Sequence, residues 1–122
     1  MSNFLSTFGK AAYTAAVVAL ASAPKYVGWG TGNSATVAST DLSAAAAESR
    51  NSVSISQETT SVAGDTVRAV GTLTCAGADK TITEAGTFTT LATATLCTYV
   101  TFAGLPILVG DSITFTLDTQ LT

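Results

Sequence analysis

From residue 50 to the C-terminus the chain repeats one pattern. Short runs in which apolar residues alternate with serine or threonine are separated by turns that contain glycine and aspartate. Alternation with a period of two buries one face of a β-strand and leaves the other in water. Residues 66–75 place Val67, Leu73 and Cys75 on one face, and residues 112–121 do the same with Phe115. The pattern predicts a mainly β protein, an antiparallel β-sandwich or small barrel of about six to eight strands.

Turn signals divide this region. Ala63-Gly64-Asp65, residues 76–79 and Gly110-Asp111 are predicted turns, because glycine and aspartate favour tight turns. We expect strands near residues 53–56, 66–75, 80–85, 96–102, 105–109 and 112–121. Gly86 is expected to end one strand, and Pro106 to lie on an edge strand because it cannot donate to a ladder.

The first 24 residues differ from the rest and are predicted to form an apolar helix or arm, followed by a single β-sandwich domain over residues 25–122. Ser2 or Asn3 could cap this helix and Pro24 would stop it. Helical spacing places one set of apolar residues on a common face: Phe4, Leu5, Phe8, Ala11, Ala12, Ala15, Val18 and Ala19. Tyr13 adds apolar surface beside that face, so we expect the helix to be covered by its own domain or by a neighbouring subunit.

Two other interpretations of this segment stay open. Lys10, the apolar run and Ala21-Ser22-Ala23 together are similar to an export signal. Pro24, directly after the cleavage pattern, argues against cleavage and favours a structural helix. A membrane role is not favoured, because residues 11–23 fall short of the roughly 20 that span a bilayer.

Residues 25–48 contain a predicted strand, a loop and a short helix. Tyr26, Val27 and Trp29 suit a strand, and the alternating glycines Gly28, Gly30 and Gly32 indicate close backbone approach. The spacing is not a dinucleotide fingerprint, since no helix is expected to follow. Thr40 or Asp41 is predicted to cap a helix over residues 42–48.

Charge constrains the partners of this chain. Only 11% of its residues are charged, 47% are hydrophobic, and the net charge is −3 with no basic window. Phosphate binding needs clustered lysine and arginine, so nucleic acid is not an expected partner. A surface poor in charge is weakly protected against association, and we therefore expect the chain to act within an assembly.

The residues argue against catalysis. The sequence has no histidine, which excludes serine–histidine and cysteine–histidine nucleophile systems, and it has no known metal or phosphate motif. We therefore expect no enzymatic activity, no metal and no cofactor. The aspartates of the three turns have structural roles in this interpretation. Glu84 lies inside a strand and is expected to pair with Arg68 or Lys80 across strands.

Cys75 and Cys97 are too few for a disulfide scaffold. Two buried free thiols are the favoured interpretation. A single Cys75–Cys97 disulfide that links two strands is the alternative.

Three segments carry a resemblance: Tyr26-Val27-Gly28-Trp29-Gly30-Thr31-Gly32, Ile82-Thr83-Glu84-Ala85-Gly86-Thr87-Phe88 and Val109-Gly110-Asp111-Ser112-Ile113-Thr114-Phe115. In this order the chain resembles small structural proteins of tailed bacteriophages, found among head and tail genes. The resemblance implies a virion role without catalytic residues, with assembly in the host cytoplasm.

Within a virion, the favoured function is a head decoration or cement protein, a homo-oligomer that binds the major capsid protein or copies of itself and stabilises shell junctions by multivalent contacts. One alternative is a tail or tail-fibre component that contacts host glycans, and another is an exported adhesin or pilin-like subunit. The candidate interface residues are Phe4, Leu5, Phe8, Tyr13, Tyr26 and Trp29.

Overall fold

The computed structural model describes residues 6–20 and 23–122. Within these residues the chain forms one helix and seven strands: α1 (Thr7–Ala19), β1 (Tyr26–Gly30), β2 (Asn51–Ser52), β3 (Ser54–Glu58), β4 (Thr66–Thr74), β5 (Lys80–Phe88), β6 (Leu96–Ile107) and β7 (Ser112–Gln120). The strands form two antiparallel sheets, ordered β2-β1-β5-β6 and β3-β4-β7. The prediction of a small antiparallel β-sandwich is confirmed.

The core lies between the two sheets. Trp29 of the first sheet meets Phe115 of the second edge to face, with ring centroids 6.2 Å apart. Leu73 and Ile82 are fully buried beside them. The alternation predicted for β4 and β7 is present: the buried Val67, Ala69 and Leu73 of β4 and Phe115 of β7 alternate with more exposed residues.

The loops between strands use the predicted turns. Gly64, Gly77 and Gly110 adopt φ values of +67°, +80° and +95°, a region in which a Cβ is unfavourable. Asp111 accepts a hydrogen bond from the Leu108 N–H at 2.9 Å, and Asp79 accepts one from Val109 at 2.9 Å. These aspartates therefore have the structural roles that the sequence predicts.

Two strand boundaries were predicted wrongly. Gly86 does not end β5, which continues to Phe88. Gly86 pairs with Gly28 and Tyr99 in the middle of its sheet, and a Cβ there would come within 2.7 Å of both Leu96 Cδ1 and the Thr98 carbonyl oxygen. The glycine is thus needed for close packing. The two segments 96–102 and 105–109 are one strand, β6, whose register with β5 shifts between Ile82 and Glu84. Pro106 does lie on this edge strand.

The predicted helix over residues 42–48 is absent, and the segment instead runs beside β1. Ala46 donates to the Trp29 carbonyl at 3.1 Å, Thr31 donates to the Ala44 carbonyl at 2.9 Å, and Gly30 forms an isolated bridge with Ala45. The backbone groups of this segment therefore have partners outside a helix. Its alanines favour a helix only when such competing partners are missing.

The buried Asp65 organises the loop that precedes β4. Its carboxylate accepts the N–H groups of Thr60, Ser61 and Val62 at 2.8–3.2 Å, and also accepts hydrogen bonds from Thr66 and Gln120. The Thr60 N–H and the other donors hold the pKa of Asp65 well below its usual value, although burial opposes them.

Replacing Asp65 with Asn should lower the thermal unfolding midpoint near neutral pH. Because the pKa of Asp65 is lower in the folded than in the unfolded chain, its contribution is fully present above about pH 4 and is lost as the pH falls toward the folded value. Thermal unfolding at a series of pH values below 7 measures the effect. Asp65→Asn should show a weaker acid dependence than the wild type, whereas the control Asp79→Asn, which removes an exposed carboxylate, should retain it. Parallel curves for Asp65→Asn and the wild type would contradict this role.

Candidate interaction surface on helix α1

Helix α1 begins later than predicted. Ser6, rather than Ser2 or Asn3, is the N-cap, and its hydroxyl oxygen accepts a hydrogen bond from the Gly9 N–H at 3.0 Å. The helix ends at Ala19, before Pro24. The predicted interface residues Phe4 and Leu5 lie outside the described residues, as do Ser2 and Asn3.

The helix packs on β3 and β4 through a polar contact. Thr14 is its only buried residue, and the Thr14 hydroxyl donates to the Gly64 carbonyl at 2.5 Å. The Gln57 side-chain amide donates to Thr14 Oγ1 at 2.7 Å and to the Ala11 carbonyl at 2.8 Å. This anchor corrects the prediction for the helix, because the face that meets the sandwich centres on Thr14 and not on Phe8.

The opposite side of the helix is exposed, and we call it the outer face of α1. It consists of Phe8, Ala12, Tyr13, Ala15, Ala16, Ala19 and Leu20. Phe8 is 84% exposed, Tyr13 60% and Leu20 52%. None of these residues is charged, and Lys10, the charged residue of α1, is half-buried one turn before Thr14, on the side that faces the sandwich. A solvent-facing helix normally carries polar residues on this side, so the outer face of α1 is an exposed apolar patch and a candidate interaction surface.

The four candidate interface residues that the structure describes lie in different places. Phe8 and Tyr13 belong to the outer face of α1. Trp29 does not lie on any surface, because it is 2% exposed in the core and donates its indole N–H to Glu48 Oε1 at 3.0 Å. Tyr26 is half-buried in β1, where it pairs with Ser52 and Phe88. The prediction that Trp29 contacts a partner is therefore wrong, and the reason is that its ring is used to join the two sheets.

Glu84 lies on β5, within the segment Ile82–Phe88 that carries part of the resemblance, and its side chain is fully buried. Its carboxylate accepts hydrogen bonds from Tyr99 Oη at 2.6 Å, Ala44 N at 2.8 Å, Ser43 Oγ at 2.9 Å, Ser43 N at 3.1 Å and Gly32 N at 3.2 Å. The predicted ion pair with Arg68 or Lys80 is not formed. Arg68 instead pairs with Asp118 at 2.8 Å, and Lys80 pairs with Glu48.

The environment of Glu84 favours a permanent carboxylate. Burial alone would raise its pKa, but the Tyr99 hydroxyl and the donors from residues 43–44 hold the pKa below its usual value. Burial, together with the same contact to Glu84, raises the pKa of Tyr99. Gly30 and Gly32 permit this arrangement, since a Cβ at either position would collide with Glu84 or with the loop at Ser43 and Ala44. The alternating glycines are therefore explained by close approach, as the sequence predicts.

Glu48 and Lys80 form a second buried polar group that sequence reasoning missed. Their side chains are 6% and 15% exposed, and Glu48 also accepts from Trp29 and from the Ala76 N–H at 2.9 Å. Burial would raise the pKa of Glu48, but these donors and Lys80 lower it to about 2. The two residues are 32 positions apart, and no local pattern in the sequence links them.

A cavity of about 330 Å³ lies beside this group and is lined in part by Asp41, Glu48, Arg50 and Phe88. The Arg50 guanidinium lies 3.5 Å from the centroid of the Phe88 ring and donates to the Thr90 and Thr93 carbonyls, which holds the loop after β5. Arg50 also pairs with Asp41 at 3.4 Å. The charged side chains that line the cavity are thus already paired or hydrogen-bonded within the chain.

The two cysteines are free thiols, and the Cys75–Cys97 disulfide is not formed. Cys75 is buried at the end of β4, whereas Cys97 is exposed on β6, in the other sheet. The expectation of free thiols holds for both, but Cys97 is not buried.

Within residues 6–20 and 23–122, no cluster of three or more histidine, cysteine, aspartate or glutamate side chains could hold a metal ion. The same described residues include no helix with the length and hydropathy that crossing a membrane requires. Comparison with known protein families, with curated proteins and with solved structures found no match for this chain.

Replacing Glu84 with Gln should destabilise the fold by about 3 kcal/mol, because the amide places its own N–H groups against buried donors. Tyr99→Phe removes a single donor and should cost about 1 kcal/mol. Urea unfolding of both variants measures these differences. Unchanged stability of Glu84→Gln would show that the carboxylate does not hold residues 31–44 on the sheet.

Thr14→Val should loosen α1 from the sandwich, because it leaves the Gly64 carbonyl and the Gln57 amide without the hydroxyl. We expect the free energy of unfolding to fall by about 1–2 kcal/mol, and we expect trypsin to cleave faster after Lys10. Thr7→Val makes the same chemical change at an exposed helical position and is the matched control. Equal cleavage rates in the two variants would rule out the anchor.

Proposed function

We propose that this chain is a non-enzymatic structural subunit of a large assembly, and specifically a head decoration protein of a tailed-bacteriophage virion. The observation that carries the proposal is the outer face of α1, an exposed apolar helix surface without charge. A decoration protein needs such a surface, because it must hold to a shell or to sister copies by contacts repeated over many copies.

The arrangement of the buried polar groups supports a structural role over a catalytic one. Every buried side-chain nitrogen and oxygen among the described residues has a hydrogen-bond partner. Among the described residues, Glu84 and Asp65 are the two fully buried carboxylates: Glu84 accepts from the backbone N–H groups of Ser43 and Ala44, and Asp65 accepts from those of Thr60 and Ser61 in its own loop. A catalytic carboxylate must instead reach a substrate, and neither of these side chains is exposed.

The phage form of the proposal is supported by the resemblance of three segments, and these segments pack together. Residues 26–30 pair with residues 84–88 along β1 and β5. Phe115, at the end of the third segment, packs on Trp29 of the first. The residues that carry the resemblance therefore belong to one structural unit rather than to scattered surface positions.

Particles purified from lysates of the cells that produce this chain test the proposal. Quantitative mass spectrometry should find the chain at a copy number comparable with the major shell protein, and cryo-electron microscopy should place it over shell junctions. A few copies confined to the tail would replace the decoration role with a tail role. Presence on the cell surface without particles would overturn the virion assignment and favour an exported subunit.

Replacing Phe8 and Tyr13 together with Ser should reduce incorporation into particles by at least about tenfold, because aromatic anchors carry a large share of interface binding energy. Val37→Ser removes a fully exposed apolar side chain from a loop and is the matched control. Both proteins should have the circular dichroism spectrum of the wild type. Normal incorporation of the double variant would exclude the outer face of α1 as the docking surface.

A further inference from the structure

The two sheets of the sandwich contain different numbers of strands, and the difference leaves one strand position vacant. Strand β1 lies over β4, where a Cβ at Gly71 would come within 2.8 Å of Val27 Cγ1. On one side of this pair, β2 continues into β3 through Val53, which joins the two sheets. On the other side, β5 and β6 of the first sheet face β7 alone. A fourth strand of the second sheet would therefore lie beside β7 and beneath β6.

The vacant position is a groove that is open to solvent. It has a volume of about 570 Å³ and lies between residues 98–100 of β6 and residues 116–120 of β7. Val100 pairs with the buried Ala85, on the face of β6 opposite Tyr99, yet it is 38% exposed. Leu117, on the same face of β7 as the buried Phe115, is half-buried. The inner faces of both sheets are thus incompletely covered on this side.

The edge of β7 that borders the groove presents a row of backbone groups. The Leu121 N–H donates to the Asp65 carbonyl and the Cys75 N–H donates to the Asp111 carbonyl, in the register that joins β4 and β7. Because backbone groups alternate between the two sides of an antiparallel strand, odd residues of β7 face β4 and even residues face away. Within residues 6–20 and 23–122, no hydrogen bond reaches the outward N–H and C=O groups of Ser112, Thr114, Thr116, Asp118 and Gln120.

These edges lack the features that normally prevent strand pairing, which are lysine, proline and bulges. The register of β7 with β4 is unbroken, and the charge of Asp118 is held by two hydrogen bonds from Arg68. Residues 96–107 of β6 carry no charge, and Pro106 and the register shift at Ile82 lie beyond the groove. Both strands that border the vacant position are therefore open to a further strand.

We propose that two copies of this chain associate edge to edge, with β6 of each copy filling the vacant position beside β7 of the other. The strand that each copy has in excess is the strand that the other lacks, so the surface is self-complementary, as a two-fold interface requires. A two-fold axis between the sheets and parallel to the strands then joins four strands of one copy to three of the other, giving two continuous seven-stranded sheets.

Strand direction and position along the strands fit this pairing. Strand β6 leads into β7 through the turn at Gly110-Asp111 and runs in the opposite direction, so both new ladders are antiparallel. An axis parallel to the strands keeps each residue at its own height, so residues 98–100 of one copy meet residues 116–120 of the other. Pairing β7 with β7 is excluded, because β6 of one copy would then overlap β5 of the other.

Analytical ultracentrifugation of the full chain over a concentration series, with a reductant that keeps Cys97 unlinked, tests the inference. We expect a monomer–dimer equilibrium that Val100→Glu weakens at least about 100-fold, because two carboxylates would face each other across the axis. Ala47→Glu adds the same charge at an exposed residue beside the far edge of β1 and should leave the equilibrium unchanged. A wild-type chain that is monomeric at every concentration overturns the inference, as does a dimer that Val100→Glu leaves intact.

A proline at the paired edge tests the new ladder directly. Thr116→Pro removes an outward N–H and costs the ladder with β4 no hydrogen bond, so the sandwich should still form. Dimerisation should weaken at least about tenfold relative to Thr116→Ala, which retains the N–H. Equal dissociation constants for the two variants would show that β7 is not paired.

Amide hydrogen exchange locates the interface without any substitution. The even-numbered amides of β7 should become protected as the concentration of the chain rises, whereas the odd-numbered ones are protected by β4 throughout. A dimer in which the amides of residues 114, 116 and 118 exchange as fast as in the monomer would overturn the proposed pairing.

The inference concerns the sheet edges and stands independently of the proposed function. A monomeric chain that still enters particles would overturn the dimer and leave the virion role. A dimer that never associates with particles would retain the pairing and remove the virion role.

Discussion

The fold depends on buried carboxylates that replace missing backbone partners. Residues 31–50 and 59–65 are long irregular segments, and their N–H groups cannot all reach a sheet ladder. Glu84 accepts from the first segment, and Asp65 accepts from the second. A hydrogen bond to a charged acceptor contributes more than one to a neutral acceptor, so a chain with few charged residues gains most from placing them here.

The position of α1 follows from one of these carboxylates. Asp65 fixes the loop that ends in Gly64, and the Gly64 carbonyl is the acceptor for Thr14. The helix is thus held by a few polar contacts on one side, while its other side carries the exposed apolar residues. This division leaves the helix face available for association without disturbing the core of the sandwich.

The sequence predicted the strands well, because alternation over β4 and β7 depends only on neighbouring residues. It failed where partners are distant in sequence. Thr14 is not part of the apolar set that the sequence assigns to the helix face, yet its hydroxyl donates to the Gly64 carbonyl of the sandwich. The aromatic residues of β1 suited either a core or an interface, and only the pairing of Trp29 with Phe115 decides between them. Glu84 offered no local sign that its partners would be backbone groups and Tyr99.

The order of the strands has a kinetic consequence. Strand β1 pairs with β2 and β5, and β4 pairs with β7, so three of the five ladders join strands that are not consecutive hairpins. Such non-local pairing slows folding, because loop closure precedes the contacts that stabilise it. The docking site of α1 exists only after β4 and the Asp65 loop have formed, which makes helix docking a late event. The apolar helix is synthesised before the strands that anchor it, so its apolar residues stay exposed to other chains until the sandwich has formed.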